Sequence, residues 1–129
     1  MSGESYFKAR IKSILIALDG IRQVLQTQQN ARIHAVITLL VLLAAGLLDL
    51  SRLEWVLLLL VIGLVWTAEI FNTAIEELVD LVSPEHNLGA KSVKDLSAGA
   101  VLASAIVSVL VGLLIFGPRI WIWISGWGQ

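Results

Sequence analysis

Glu69, Asn72, Glu76 and Asp80 stand three, four and four residues apart in a stretch that begins strongly apolar. At about 100° per residue this spacing keeps all four side chains within a narrow sector of one helix face. Glu77 falls off that line and is expected to meet headgroups or solvent. Further on, Lys94 and Asp95 precede Ala98 and Gly99, so a cation and another carboxylate enter beside small residues. A lysine near clustered carboxylates balances charge. It is also what a phosphate-handling site requires, with carboxylates binding a divalent cation and an ammonium neutralising phosphate.

The elements that must carry these residues are set by composition. Of 129 residues 57% are hydrophobic and only 15% charged, and the mean hydropathy is +0.86. An ordinary soluble domain is about half apolar and about a quarter charged. The expected class is therefore an all-α membrane protein forming one unit over residues 1–129, with no room for a second domain. A net charge of −1 gives no broad basic field for nucleic acid, and the absence of cysteine excludes disulfides and thiolate chemistry. The first thirty residues carry Glu4, Lys8, Arg10, Lys12, Asp19 and Arg22, a pattern unlike a cleavable signal peptide.

From Ser5 to about Gln26, Phe7, Ile11, Ile14, Leu15, Leu18, Ile21 and Leu25 recur at helical spacing, predicting an amphipathic helix. Such a helix can lie on the bilayer surface, pack on the end of a bundle, or both; with its connector it occupies residues 1–30. Three apolar segments follow, at about 33–50, 53–82 and 96–124, each long enough to cross a core of about 30 Å. The short turn Asp49–Arg52 makes the first two antiparallel neighbours. Ser83-Pro84 ends the second, and Glu85 to Lys91, with His86, Asn87 and Gly89, reads as a polar, solvated loop. Ala100, Ser104, Ser108 and Gly112 form a small-residue stripe for close helix packing, within the chain or between copies.

Basic residues set the orientation. With the N-terminus cytoplasmic, Lys8, Arg10, Lys12, Arg22, Arg32, Lys91 and Lys94 lie inside, while Arg52 and Arg119 lie outside with the C-terminus. Trp55, Trp121, Trp123 and Trp127 then fall at the outer interface, as anchors. Glu69 lies fourteen residues beyond Trp55, about 21 Å along the axis. That leaves it roughly 9 Å beneath the inner boundary of the hydrocarbon core. A carboxylate at such depth costs at least about 2.5 kcal/mol unless partners or water meet it. From there to Asp80 runs an acidic ladder about 16 Å long, rising toward the cytoplasm. His34, with no second histidine on its helix, reads as an interfacial side chain rather than a ligand. P-loop, zinc-site and protein-kinase signatures are absent from the sequence.

The residues at this point resemble the small prokaryotic diacylglycerol kinase family, which includes the undecaprenol kinases. Ala68-Glu69-Ile70-Phe71-Asn72-Thr73-Ala74-Ile75-Glu76 carries the resemblance, continued by Val79 to His86 and by Ala90-Lys91-Ser92-Val93-Lys94-Asp95 with Ala98-Gly99-Ala100-Val101. Asp19-Gly20-Ile21 and Asn30-Ala31-Arg32-Ile33-His34 match more weakly, the latter in a form common among undecaprenol kinases. The resemblance implies a homotrimer in the bacterial inner membrane that moves the γ-phosphate of Mg-ATP onto a lipid alcohol, diacylglycerol or undecaprenol. It implies Glu69 as general base, Glu76 as Mg²⁺ ligand and Asn72 as the residue orienting the reacting groups. Asp80, Lys94 and Asp95 would shape the nucleotide site, with Lys12 near the phosphates. Gln28 departs from the family's usual glutamate, and its amide oxygen lacks the charge that makes Mg²⁺ binding strong. The family's usual N-terminal arginine would fall to Lys8 or Arg10.

Two other readings stay open at this level. Intramembrane acids also serve proton paths or transporters, although no ionisable residue lies between Trp55 and Trp66 to continue the ladder outward. A non-catalytic bundle, or a degenerate kinase relative with a regulatory role, would explain Gln28.

Overall fold

The computed structural model describes residues 3–85 and 87–126, and the side chains from Tyr6 onward. His86 and Trp127 lie outside the described residues. Four helices follow one another: α1 (Gly3–Thr27), α2 (Gln29–Leu47), α3 (Arg52–Val82) and α4 (Leu88–Gly126). The last three are long and apolar enough to cross a membrane.

Each helix boundary has a local cause. Ser51 caps α3 with its hydroxyl accepting from the Glu54 amide, while the Glu54 carboxylate accepts from the Ser51 amide at 2.8 Å. This reciprocal pairing satisfies two amides that the first turn leaves bare. Just before it, Asp49 adopts φ 52°, the left-handed region that Asp tolerates better than most residues. At the other end α3 stops at Val82, before Pro84. The connection to α4 is shorter than a loop reaching Lys91, because Asn87 initiates a helix directly. Its Oδ1 accepts from the Ala90 amide at 2.7 Å, and its carbonyl accepts from Lys91 at 3.1 Å. Lys91, Lys94 and Asp95 are therefore helical, and α4 begins eight residues before the apolar segment does.

Helices α3 and α4 pack along their length. Ala45, Leu58 and Ile115 are the buried centre of a core drawn from α2, α3 and α4, with Val41, Leu50, Trp55, Ile62, Val111 and Phe116 around it. The stripe on α4 divides: Ser104 is buried inside the chain, whereas Ala100 is exposed. Trp121 and Trp123 face outward as anchors would, but Trp55 is half-buried against the core. Beside it, the Arg119 guanidinium reaches three elements. It donates to both Glu54 carboxylate oxygens at 2.7 and 2.8 Å, to the Leu48 carbonyl at 3.1 Å and to the Ile115 carbonyl at 2.9 Å. The end of the bundle at the α2–α3 turn is thereby locked.

Around this core most large apolar side chains point outward, including Leu39, Leu40 and Leu43 on α2 and Leu110, Leu113 and Leu114 on α4. Water would oppose that arrangement, whereas hydrocarbon does not. On α1, Phe7, Ile11, Ile14, Leu15 and Leu18 are exposed as well. Its C-terminal end is held: Val24 is buried, and Gln23 Nε2 donates to Glu77 at 3.0 Å. Glu77 is exposed, as its position off the acidic line implies, and it has a protein partner as well.

Candidate functional site

The acidic ladder on α3 is graded in burial as well as in position. Glu69 is 2% exposed and Asn72 8%; Glu76 is half-buried and Asp80 exposed. One helix face thus passes from sealed interior to open surface in about three turns.

Side-chain bonds tie this face to α4. The Ser97 hydroxyl, itself buried, donates to Asn72 Oδ1 at 2.7 Å, sharing its proton with the Lys94 carbonyl at 2.9 Å. Asn72 Nδ2 in turn donates to Glu76 Oε1 at 3.1 Å. The amide is thereby locked between a hydroxyl donor and a carboxylate acceptor, which fixes its oxygen and nitrogen. One turn further out, Lys94 Nζ pairs with Asp80 Oδ1 at 2.5 Å. Ser97 was not singled out from the sequence; one serine in a run of small residues reads as packing.

Glu69 is handled differently. Its Oε2 is buried and has no hydrogen-bond partner. The Thr73 hydroxyl donates to its backbone carbonyl, not to its carboxylate. Across the interface with α2, His34 Nε2 lies 3.9 Å from Oε2. His34 is therefore not merely interfacial, as its sequence position suggests, since it faces the most buried acid among the described residues.

Two cavities flank this region. A cleft of about 350 Å³ at the α3–α4 turn is lined by Asp80, Lys94 and Asp95 together with Ser83, Asn87 and Lys91. The second, about 190 Å³, is an apolar groove between α2, α3 and α4 that begins at His34 and continues past Val65, Ser108 and Phe116. The structure so brings Glu69, Asn72, Glu76, Asp80, Lys94 and Asp95 onto one end of the α3–α4 pair. Lys12 is not among them. It is exposed on α1, eleven residues and about 16 Å from the Gln23 contact. Gln28 is half-buried at the start of α2 and makes no side-chain capping bond.

Among the described residues, no three acidic or histidine side chains converge as a self-contained metal centre. A nucleotide-borne Mg²⁺ does not need one, because it keeps water and takes one or two carboxylates besides the phosphates. Glu76, half-buried one turn before the Asp80 that lines the polar cleft, fits that donor set.

Comparison with known proteins decides the family. The prokaryotic diacylglycerol kinase profile matches residues 15–116. The chain belongs to this family. An undecaprenol kinase of Bacillus subtilis is 41% identical over 84% of this chain and 89% of its own length. A diacylglycerol kinase of Synechocystis is 42% identical over 78% of this chain and 58% of its own. That of Escherichia coli K12 is 33% identical over 81% and 85%. The chain is thus a lipid kinase by descent, and the polar end of α3 and α4 is its candidate active site.

Proposed function

We propose that this chain transfers the γ-phosphate of ATP to the primary hydroxyl of a membrane lipid, with undecaprenol the favoured acceptor. One observation carries the mechanism: a carboxylate sealed inside a membrane-spanning helix pair whose Oε2 is left without a bond. A purely structural acid would be satisfied or replaced.

In this reading the lipid hydroxyl meets Glu69. The O–H bond breaks, Glu69 takes the proton, and the oxygen bonds to the γ-phosphorus as ADP leaves with the electron pair of the bridging bond. Such transfer needs alignment and charge neutralisation more than covalent chemistry. Alignment would come from Asn72, held rigid by Ser97 and Glu76. Lys94, steadied by Asp80, would neutralise phosphate charge in the cleft it shares with Asp95. Glu76, with Gln28 brought alongside, would hold Mg²⁺, which supplies further neutralisation of the phosphates when bound. Lys12 would reach the phosphates from α1 of the same or another copy.

The preference for undecaprenol rests on the Bacillus relative and on the stretch Asn30 to His34. The apolar groove opening from His34 is a suitable bed for a hydrocarbon tail. The wider setting belongs to the same proposal: a single kinase domain over residues 1–129, α1 on the membrane surface, the N-terminus cytoplasmic, and a homotrimer covering part of the exposed apolar face.

The test is the purified full chain in bilayer nanodiscs with labelled ATP, Mg²⁺ and either undecaprenol or diacylglycerol. Phosphate should pass to lipid, faster to undecaprenol, and Glu69→Gln should abolish most of it. No transfer to either lipid, with Glu69→Gln indistinguishable from the parent, would defeat the proposal.

A further inference from the structure

A general base must present one lone pair along one line, and the fold around Glu69 lacks an obvious means of doing so from α3 alone. The carboxylate is 2% exposed. Thr73, one turn away, spends its hydroxyl on the Glu69 backbone carbonyl. The titratable groups that face the carboxylate are His34 from α2 and Glu76 from its own helix. Glu76 repels it and donates nothing. His34 can donate.

His34 Nε2 stands 3.9 Å from the unbonded Oε2, within ion-pair range and about 1 Å beyond a hydrogen bond. Bringing the two into hydrogen-bond contact takes an approach of about 1 Å. Docking of α2 on α3 does not rest on His34 alone. One turn deeper, Trp66 Nε1 donates to Thr38 Oγ1 at 3.2 Å and supplies a separate polar tie between the same two helices. Finally, His34 lines one end of the apolar groove, so a lipid chain lying there would bring its hydroxyl to the imidazole that faces the acid.

We infer that His34 is a positioning residue for phosphoryl transfer: its Nε2–H holds Glu69 Oε2 in line with the incoming lipid hydroxyl. This rests on the kinase reading above. His34 exchanges no atom in the step; the hydroxyl proton goes to Glu69 and the phosphoryl group to the lipid oxygen. Fixing the base in its reactive direction is the effect.

The experiment uses the full chain in nanodiscs, with wild type, His34→Gln and His34→Leu, and each again in the Glu69→Gln background. Lipid and ATP are varied separately, and thermal unfolding is followed in parallel. His34→Leu should lower kcat about tenfold, the scale of one lost hydrogen bond to a charged group, with the KM for ATP unchanged. His34→Gln keeps a donor and should recover most of the rate. With Glu69→Gln already present, His34→Leu should cost nothing further. The inference is overturned by a wild-type kcat in His34→Leu, by the same proportional loss in both backgrounds, or by a loss that follows a lowered unfolding temperature. A parent chain that phosphorylates neither lipid brings down the kinase reading itself, and this inference with it; an active parent with an indifferent His34→Leu overturns this inference alone.

Discussion

At one end of the α3–α4 pair Glu54 and Arg119 hold each other in several hydrogen bonds; at the other a buried carboxylate oxygen is left over. Arg119 donates to Glu54, Leu48 and Ile115, and Glu54 also accepts from the Ser51 amide, so both members of that pair are satisfied in several directions. Glu69 is more deeply buried than either, yet its Oε2 is unbonded. A satisfied pair joins helices and leaves no lone pair for a substrate. An unsatisfied carboxylate is destabilising until something with a proton reaches it. The first pattern is how this chain builds, and the second is where we propose that it reacts.

Substitutions can break that contrast. Glu69→Gln should have the largest effect, a loss of about 10²- to 10⁴-fold in kcat, the range of a general base. The unfolding temperature should hold or rise, because a neutral amide is cheaper to bury than a charge; a marked fall in stability would make Glu69 a structural acid instead. Ser97→Ala should come next, lowering kcat about tenfold through a loosened Asn72; equal rates would remove the Ser97–Asn72 bond from the mechanism. Arg119→Met should reverse the pattern, lowering the unfolding temperature by several degrees while the rate per folded molecule stays put. If it slowed transfer at full stability, the locked end would have a catalytic role. The smallest effect belongs to Gln28→Glu, which should reduce the Mg²⁺ needed for half-maximal rate a few-fold by adding a charged ligand. An unaltered requirement would place Gln28 away from the metal.

The difference between the two ends also explains what could be read beforehand. Glu69, Asn72, Glu76 and Asp80 lie on one helix, where spacing alone puts them on one face, and their depth follows from the rise per residue. Three long apolar segments were legible for the same local reason. Contacts between helices were not. Glu54 and Arg119 are 65 residues apart, and neither stands out in the chain. Ser97 stands among small residues, and His34 reads as interfacial because the acid it faces is on another helix. The start of α4 was placed too late because hydropathy marks where a helix enters hydrocarbon, whereas Asn87 marks where it begins.

The unbroken run of α3 has a consequence for the membrane around it. With no proline or glycine kink between Trp55 and Glu69 other than the helical Gly63, the vertical distance between them is set by a stiff rod. A thicker or thinner bilayer therefore tilts the whole rod instead of bending it. On the proposed mechanism, tilt would carry the carboxylate up or down relative to the plane where lipid hydroxyls sit, and chain length in the host lipids would then bear on turnover.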